Sequence, residues 1–180
     1  AILGVFTDIT EQKQAQKALQ ESEEKYRNIF ENAVEGIYQA GPDGRMLNVN
    51  PALARMTGYD SPQEMISIVK NPETQLIASS EDIAYLGKLL TETGSVNEFE
   101  LQIYRKDGSI MWASINIRPV YDQHGNLVNY EGAVQDVTRR KSAEQALLES
   151  EAKYRSVVES SLVAFYIVQD GFFRYVNRQL

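Results

Sequence analysis

The chain contains no cysteine and only one histidine, His124. Without cysteine it can form no disulfide, no thiolate metal site and no bond between a thiol and a chromophore. A single histidine with no cysteine cannot build a usual metal site, and His124 lies in the turn-like stretch Asp122–Asn126. We therefore interpret His124 as a solvated turn residue and predict no metal centre in this sequence.

Long apolar runs and an excess of positive charge are also missing. No run approaches the roughly 20 apolar residues of a membrane-spanning helix, and no signal peptide is visible, so we expect a cytoplasmic location without membrane contact in this stretch. The net charge is −7, and an acidic surface repels the phosphates of nucleic acid. No phosphate-binding loop and no Ser-His-Asp arrangement is present, so the sequence predicts no enzymatic activity.

What the chain does contain is an internal repeat. Residues 4–38 match residues 132–166, 128 positions later, at 15 of 35 places. Both copies carry an Asp-x-Thr triplet, at Asp8-Ile9-Thr10 and at Asp136-Val137-Thr138, followed by a polar run with the periodicity of a helix. The sequence therefore predicts a tandem array, in which one complete unit is flanked by a piece of a neighbouring unit at each end.

The repeat sets the predicted domain boundaries. They are the last strand of a preceding unit (1–9), a linker helix (10–26), one complete domain (27–138), an exit helix (139–158) and the truncated start of a following unit (159–180).

Both linker runs place apolar and small residues at heptad spacing. The two seams are Leu19, Ser22, Tyr26, Ile29 and Ala33, and then Leu147, Ser150, Tyr154, Val157 and Ser161. One interpretation is an amphipathic helix that lies on its own domain. The other is a short parallel coiled coil that forms a homodimer, since short isolated helices are marginal in water.

Between the linkers, the pattern predicts two strands, three helices and three more strands. Residues 34–40 and 46–50 predict a hairpin, and Asn50-Pro51 predicts the start of a helix. A capping box at 61–64 starts a second helix, residues 71–79 are predicted to form a loop, and a third helix runs from Ser79 or Ser80 to Gly94.

Alternation of period two predicts strands at 99–103, 110–121 and 127–137, with Pro119 at a bulge or a sheet edge. The sum is an α+β fold, a five-stranded antiparallel sheet with short helices over one face, flanked by long linker helices.

Several motifs, in this order, resemble those of a PAS domain of the sensory-box type. They are Tyr26-Arg27, Phe30-Glu31-Asn32, Gly36-Ile37, Asp43-Gly44, Asn50-Pro51-Ala52, Gly58-Tyr59, Lys106-Asp107-Gly108-Ser109, Trp112, Gly125, Gly132 and Asp136-Val137-Thr138. The resemblance covers about residues 27–138 and implies the PAS fold in a tandem bacterial signalling protein. In that family the last strand runs into a helix that carries signals to an output domain, and Asp136 and Thr138 match the positions that couple sheet to helix.

The chain departs from the cofactor-binding branches of that family. A flavin-adduct PAS domain needs a reactive cysteine, and a haem PAS domain needs an axial ligand, usually a histidine, on a helix over the pocket. We therefore expect neither covalent flavin nor haem. Any ligand is expected to be small and held without a covalent bond.

The candidate pocket lies between the sheet and the helices. We expect it to be lined by Val49, Leu53, Met56, Leu76, Ile83, Leu86, Phe99, Leu101, Trp112, Ser114, Asn116 and Val134. Such residues could also simply fill a core. Ser114 and Asn116 beside Trp112 are the best indication of a ligand, because buried polar groups need hydrogen-bond partners, although they could equally face solvent.

The sequence thus predicts a PAS sensor or signal-relay module of a sensor histidine kinase or a cyclic-dinucleotide regulator. It would bind a small ligand or partner and pass a conformational change through helical linkers. The alternative is a ligand-free module that holds dimers and sets spacing. Expected partners are a second copy of the chain through the linker helices, adjacent PAS units and an output domain. We also expect residues 1–8 to pair with residues 162–177 across chains, or to fray.

Overall fold

The computed structural model describes residues 10–160, 163–177 and 179, except for the side chains of residues 10 and 11. The chain divides after Asp136 into two units. The predicted strand over residues 1–8, and with it the predicted pairing across chains, lies outside the described residues. Among the described residues, no helix has both the length and the apolar character needed to cross a membrane.

The first helix, α1 (Thr10–Asn32), consists mainly of strong helix formers. It continues past the predicted linker boundary at residue 26. Leu19, Tyr26 and Ile29 are all more than half exposed, whereas Phe30, in the last turn, is buried. The apolar seam of α1 is therefore open to solvent within this chain.

Five strands form the sheet of the first unit, as the period-two pattern predicted. They are β1 (Gly36–Ala40), β2 (Met46–Val49), β3 (Val96–Tyr104), β4 (Ile110–Tyr121) and β5 (Leu127–Asp136). All neighbouring strands are antiparallel, in the order β2-β1-β5-β4-β3. Pro119 pairs with Tyr130 of β5, beyond the last residue of β4 that pairs with β3. The proline thus lies where β4 has one neighbour, which confirms the predicted edge position.

Four short helices connect β2 to β3: α2 (Pro51–Met56), α3 (Pro62–Ile68), α4 (Pro72–Leu76) and α5 (Ser80–Thr93). Each begins at a side chain that accepts a hydrogen bond from the backbone N–H three residues on. The predicted loop at 71–79 is wrong, because Asn71-Pro72 starts α4 in the way that Asn50-Pro51 starts α2. Gly94 ends α5 as predicted, with φ at +74°.

These helices cover one face of the sheet. Leu101 of β3 pairs with Ala113 of β4, and Ile115 of β4 pairs with Val134 of β5; all four belong to the buried core. Side chains alternate between the two faces of a strand, so the residues between them point to the opposite face.

The second unit contains α6 (Thr138–Ser160) and an antiparallel hairpin of β6 (Tyr166–Gln169) and β7 (Phe172–Val176). The predicted exit helix over 139–158 therefore forms. Large apolar side chains of the hairpin are exposed, for example Phe172 at 70% and Phe173 at 65%.

Candidate functional site

A cavity of about 820 Å³ lies between the sheet and the short helices of the first unit. Its volume is within the range of pockets that hold small molecules, roughly 300–1,000 Å³. Five of the predicted pocket residues line it, namely Leu53, Leu76, Leu86, Leu101 and Val134. The interior of the cavity is therefore largely aliphatic.

Four other predicted residues do not line the cavity. Val49 is buried in the core, and Ile83 is half-buried on α5. Phe99 packs against the ring of Tyr85, with the ring centroids 5.6 Å apart. Met56 lines a second depression instead, together with Asp136.

The structure corrects the prediction that Trp112, Ser114 and Asn116 line the pocket. Their neighbours along β4, Ala113 and Ile115, join the core, so these three side chains belong to the opposite face of the sheet. Asn116 has a structural role there, because its Oδ1 accepts a hydrogen bond of 2.9 Å from the backbone N–H of Glu98.

Tyr38 of β1, which is not among the predicted pocket residues, lines the floor of the cavity. It pairs with Gly132 of β5, and a Cβ on Gly132 would lie 2.2 Å from two carbons of the tyrosine ring. The ring therefore lies directly on the glycine. The sequence did contain a signal for this pair, since both residues are kept in the repeat, Tyr38 as Tyr166 and Gly132 as Gly4.

The Tyr38 phenol sits in an environment that favours its neutral form. Burial, assisted by the negative charge of Glu73, raises the pKa of Tyr38 to about 12. The side chain keeps part of its surface accessible because it faces the cavity. At neutral pH the phenol is thus protonated and available as a hydrogen-bond donor.

The charged side chains that line the cavity are all exposed. Asp43 and Arg45 come from the β1–β2 turn, Lys70 from the segment between α3 and α4, and Glu73 from the first turn of α4. Arg45 is paired with Asp43, at 3.5 Å. Two cations and two anions give this group a net charge of zero.

Arg105, which follows β3, connects two parts of the first unit. Its Nε donates to the carbonyl of Met56, at the end of α2, at 2.9 Å. Its Nη2 lies 3.0 Å from Oδ2 of Asp136, the last residue of β5. Both side chains of this ion pair are about one third exposed. Thr138, the other predicted coupling residue, begins α6 two positions after Asp136.

The adjacent Lys106 holds the same hairpin turn against α3. Its backbone N–H donates to the carbonyl of Thr57 at 2.9 Å, and its ammonium group lies 2.6 Å from Glu64 and 3.4 Å from Asp60. The hydrogen bond from Lys106 lowers the pKa of Glu64 below its ordinary value. The turn that carries Arg105 is therefore anchored on the helical layer.

Asn50 forms the link between α1, β1 and α2, and it is fully buried. Its Oδ1 accepts from the backbone N–H groups of Ile37 and Leu53, both at 2.9 Å. Its Nδ2 donates to the carbonyls of Phe30 at 3.1 Å and Glu35 at 2.9 Å. One side chain thus satisfies four backbone groups. The sequence identified Asn50 as a helix cap but gave no indication of the other three bonds.

His124 is exposed in the turn between β4 and β5. Its backbone N–H donates to Oδ1 of Asp122 at 2.8 Å, as a turn residue would. Among the residues that the structure describes, no group of three or more histidine, cysteine or acidic side chains is arranged to hold a metal ion.

The sequence profile of the PAS domain family matches residues 34–139. The sensor histidine kinase TmoS of Ectopseudomonas mendocina is 26% identical over 164 residues, which cover 88% of this chain and 16% of TmoS. The probable diguanylate cyclase DgcE of Escherichia coli K12 is 26% identical over 129 residues, or 72% of this chain and 12% of DgcE. The chain thus spans less than a fifth of the length of either relative.

A solved structure, the PAS domain of a protein from Colwellia psychrerythraea, superimposes with a TM-score of 0.57. The match covers 66% of this chain and 98% of that domain, at 21% sequence identity. At this identity the likeness supports the fold alone.

Proposed function

The chain belongs to the PAS domain family of signal-sensing modules, and on this premise we propose that residues 27–138 bind a small molecule and relay its binding to the helix that follows. The observation that carries this proposal is a bridge made by Arg105, whose side chain donates to the carbonyl of Met56 and pairs with Asp136. The bridge connects the helix that borders the cavity to the last residue of the sheet before α6.

The relay would begin at α2. Leu53 on this helix and Thr57 just after it line the cavity, and Arg105 holds the carbonyl of Met56 between them. A ligand that displaced α2 would move this carbonyl and change the contact between Arg105 and Asp136. Because both side chains are about one third exposed, the ion pair between Arg105 and Asp136 contributes only modest stability. The state with this ion pair formed and the state with it broken can therefore differ little in free energy, as a switch requires.

The test is the signal response of the full-length signalling protein carrying Arg105→Ala, Asp136→Ala or both. We expect each single variant to weaken the response, and the double variant to be no worse than either, because both remove the same contact. The matched control is Arg118→Ala, which breaks the exposed ion pair with Glu131 on the sheet. An unchanged response in Asp136→Ala, or an equal loss in Arg118→Ala, would remove the bridge from the mechanism.

We also propose that residues 159–180 begin a second PAS unit, and the contacts of Asn177 support this. Its Oδ1 accepts from the N–H of Phe165 at 2.8 Å, and its Nδ2 donates to the carbonyls of Val158 at 3.0 Å and Val163 at 2.9 Å. These three partners lie 128 positions after Ile37, Phe30 and Glu35, the corresponding partners of Asn50. The same link is thus built twice in one chain.

The output of the signal would come from another domain of a longer protein. The names of the relatives TmoS and DgcE suggest a histidine kinase or a diguanylate cyclase for that role. Residues 27–138 would then serve as a sensor with no catalytic activity of their own. Deleting a linker helix should uncouple the output from the signal and leave its basal activity in place.

A second candidate function is a dimerisation and spacing module that needs no ligand. The exposed apolar seams of both linker helices favour it, for example Leu19 and Ile29 at 61% each and Tyr154 at 71%. Sedimentation of wild type against Ile29→Glu tests it. A dimer that Ile29→Glu dissociates would support pairing through α1, and a monomeric wild type at high concentration would exclude it.

A further inference from the structure

Among the described residues that line the cavity, every charged side chain is exposed and none lies in the buried interior. Its deep lining is aliphatic and includes Leu53, Leu86, Leu101, Ile115 and Val134. An ionised group placed among such side chains would lose its hydration without gaining a counter-ion. The interior therefore selects against charged ligands.

The exposed charged residues that line the cavity do not make it favourable for charged ligands. The exposed group Asp43, Arg45, Lys70 and Glu73 sums to zero, and the two members from the β1–β2 turn already pair with each other. The Glu73 charge is close enough to oppose ionisation of the Tyr38 phenol. The same field would oppose a carboxylate or phosphate placed beside that phenol.

Two tyrosines line the cavity, Tyr38 on its floor and Tyr130, which pairs with Ala40 at the end of β1. We take the Tyr38 hydroxyl as the donor that a ligand on the cavity floor would use. The hydroxyls of Thr57 and Thr91, which also line the cavity, already donate to backbone carbonyls of their own helices, at 2.6 Å and 2.8 Å. The Tyr38 hydroxyl makes no hydrogen bond within the part of the chain that the structure describes. A donor that faces the cavity and makes no hydrogen bond within the described residues favours a ligand that supplies an acceptor.

We propose that the cavity binds an uncharged lipophilic molecule carrying a carbonyl-type acceptor, which takes a hydrogen bond from the Tyr38 hydroxyl. The inference rests on the proposed sensing function and adds the chemical class of the ligand. Gly132 is part of this site, because only a residue without a Cβ lets the Tyr38 ring lie this close to β5.

The probes are the neutral aromatic ketone prodan and the anionic anilinonaphthalene sulfonate, which are both fluorescent and of similar size. We expect wild type to bind prodan at least about tenfold more tightly than the sulfonate, since charge burial is the larger penalty. Tyr38→Phe removes one hydroxyl and should weaken prodan binding by about fivefold, the effect of one hydrogen bond. It should leave binding of the sulfonate unchanged.

The control is Tyr121→Phe, at an exposed tyrosine outside the cavity, which should bind both probes as wild type does. Equal or tighter binding of the sulfonate would overturn the proposal. So would prodan affinity that is absent, or that Tyr38→Phe leaves unaltered. These outcomes test the ligand class and not the relay. A failed relay would instead appear in the signal responses of the Arg105 and Asp136 variants, with the probe affinity intact.

Discussion

Replacing Gly132 by alanine is expected to destabilise the domain by about 2 kcal/mol. The added Cβ would lie 2.2 Å from the Tyr38 ring, and ordinary contacts begin at 3.4 Å. The ring must therefore move by 1.2 Å or more, the difference of these distances. The cavity beside the ring gives it room to move, and forced repacking of this kind typically costs about 1–3 kcal/mol.

Urea unfolding measures this loss, with Gly87→Ala as the matched control. Gly87 lies inside α5 with no atom within 4 Å of an added Cβ. The control should therefore gain about 0.5–1 kcal/mol from better helix propensity. In a Tyr38→Val background the ring is gone, so Gly132→Ala should cost little. If Gly132→Ala is as harmless as Gly87→Ala, or costs the same in both backgrounds, contact with the Tyr38 ring is not the cause.

Three further predictions concern single side chains. Asn50→Ala should lower the free energy of unfolding by about 3 kcal/mol, because several buried backbone groups lose their partners; urea unfolding checks it, and a loss below about 1 kcal/mol would contradict it. The folded chain holds the Tyr38 proton more tightly than the unfolded chain does, with a pKa of about 12 against 10.0. Stability should therefore fall as the pH rises from 10 to 12, by up to about 2.7 kcal/mol. Tyr38→Phe should lack this component in unfolding measured across that range, and an identical pH dependence would refute it. Lys106→Gln should raise the pKa of Glu64 towards its ordinary value in an NMR titration, and an unmoved pKa would show that the hydrogen bond is not its cause.

Local signals predicted most of the fold because they act within a few residues. The caps at Asn50, Ser61 and Ser79 each bind a backbone N–H three positions away, so their residue types are visible in a short window. The missed helix α4 has the same signal at Asn71. It is only five residues long, too short for an apolar periodicity to accompany the cap.

The errors in the candidate site have a different origin. Period-two alternation separates Trp112, Ser114 and Asn116 from Ala113 and Ile115, but it does not say which set faces the helices. That choice depends on packing between segments far apart in the chain. The sequence pattern did not place Tyr38 in the pocket either. Its position follows from the register of β1 against β5, which are far apart in the chain.

We propose that a change in the cavity reaches α6 through Arg105. NMR amide shifts over the first two turns of α6 test it directly, with Gly132→Ala as the perturbation, since the displaced Tyr38 ring stands in for a bound ligand. We expect Gly132→Ala to change these amide shifts in the wild-type background and to leave them unchanged when Arg105→Gln is also present. Shifts that do not respond to Gly132→Ala, or that respond equally in both backgrounds, would contradict it.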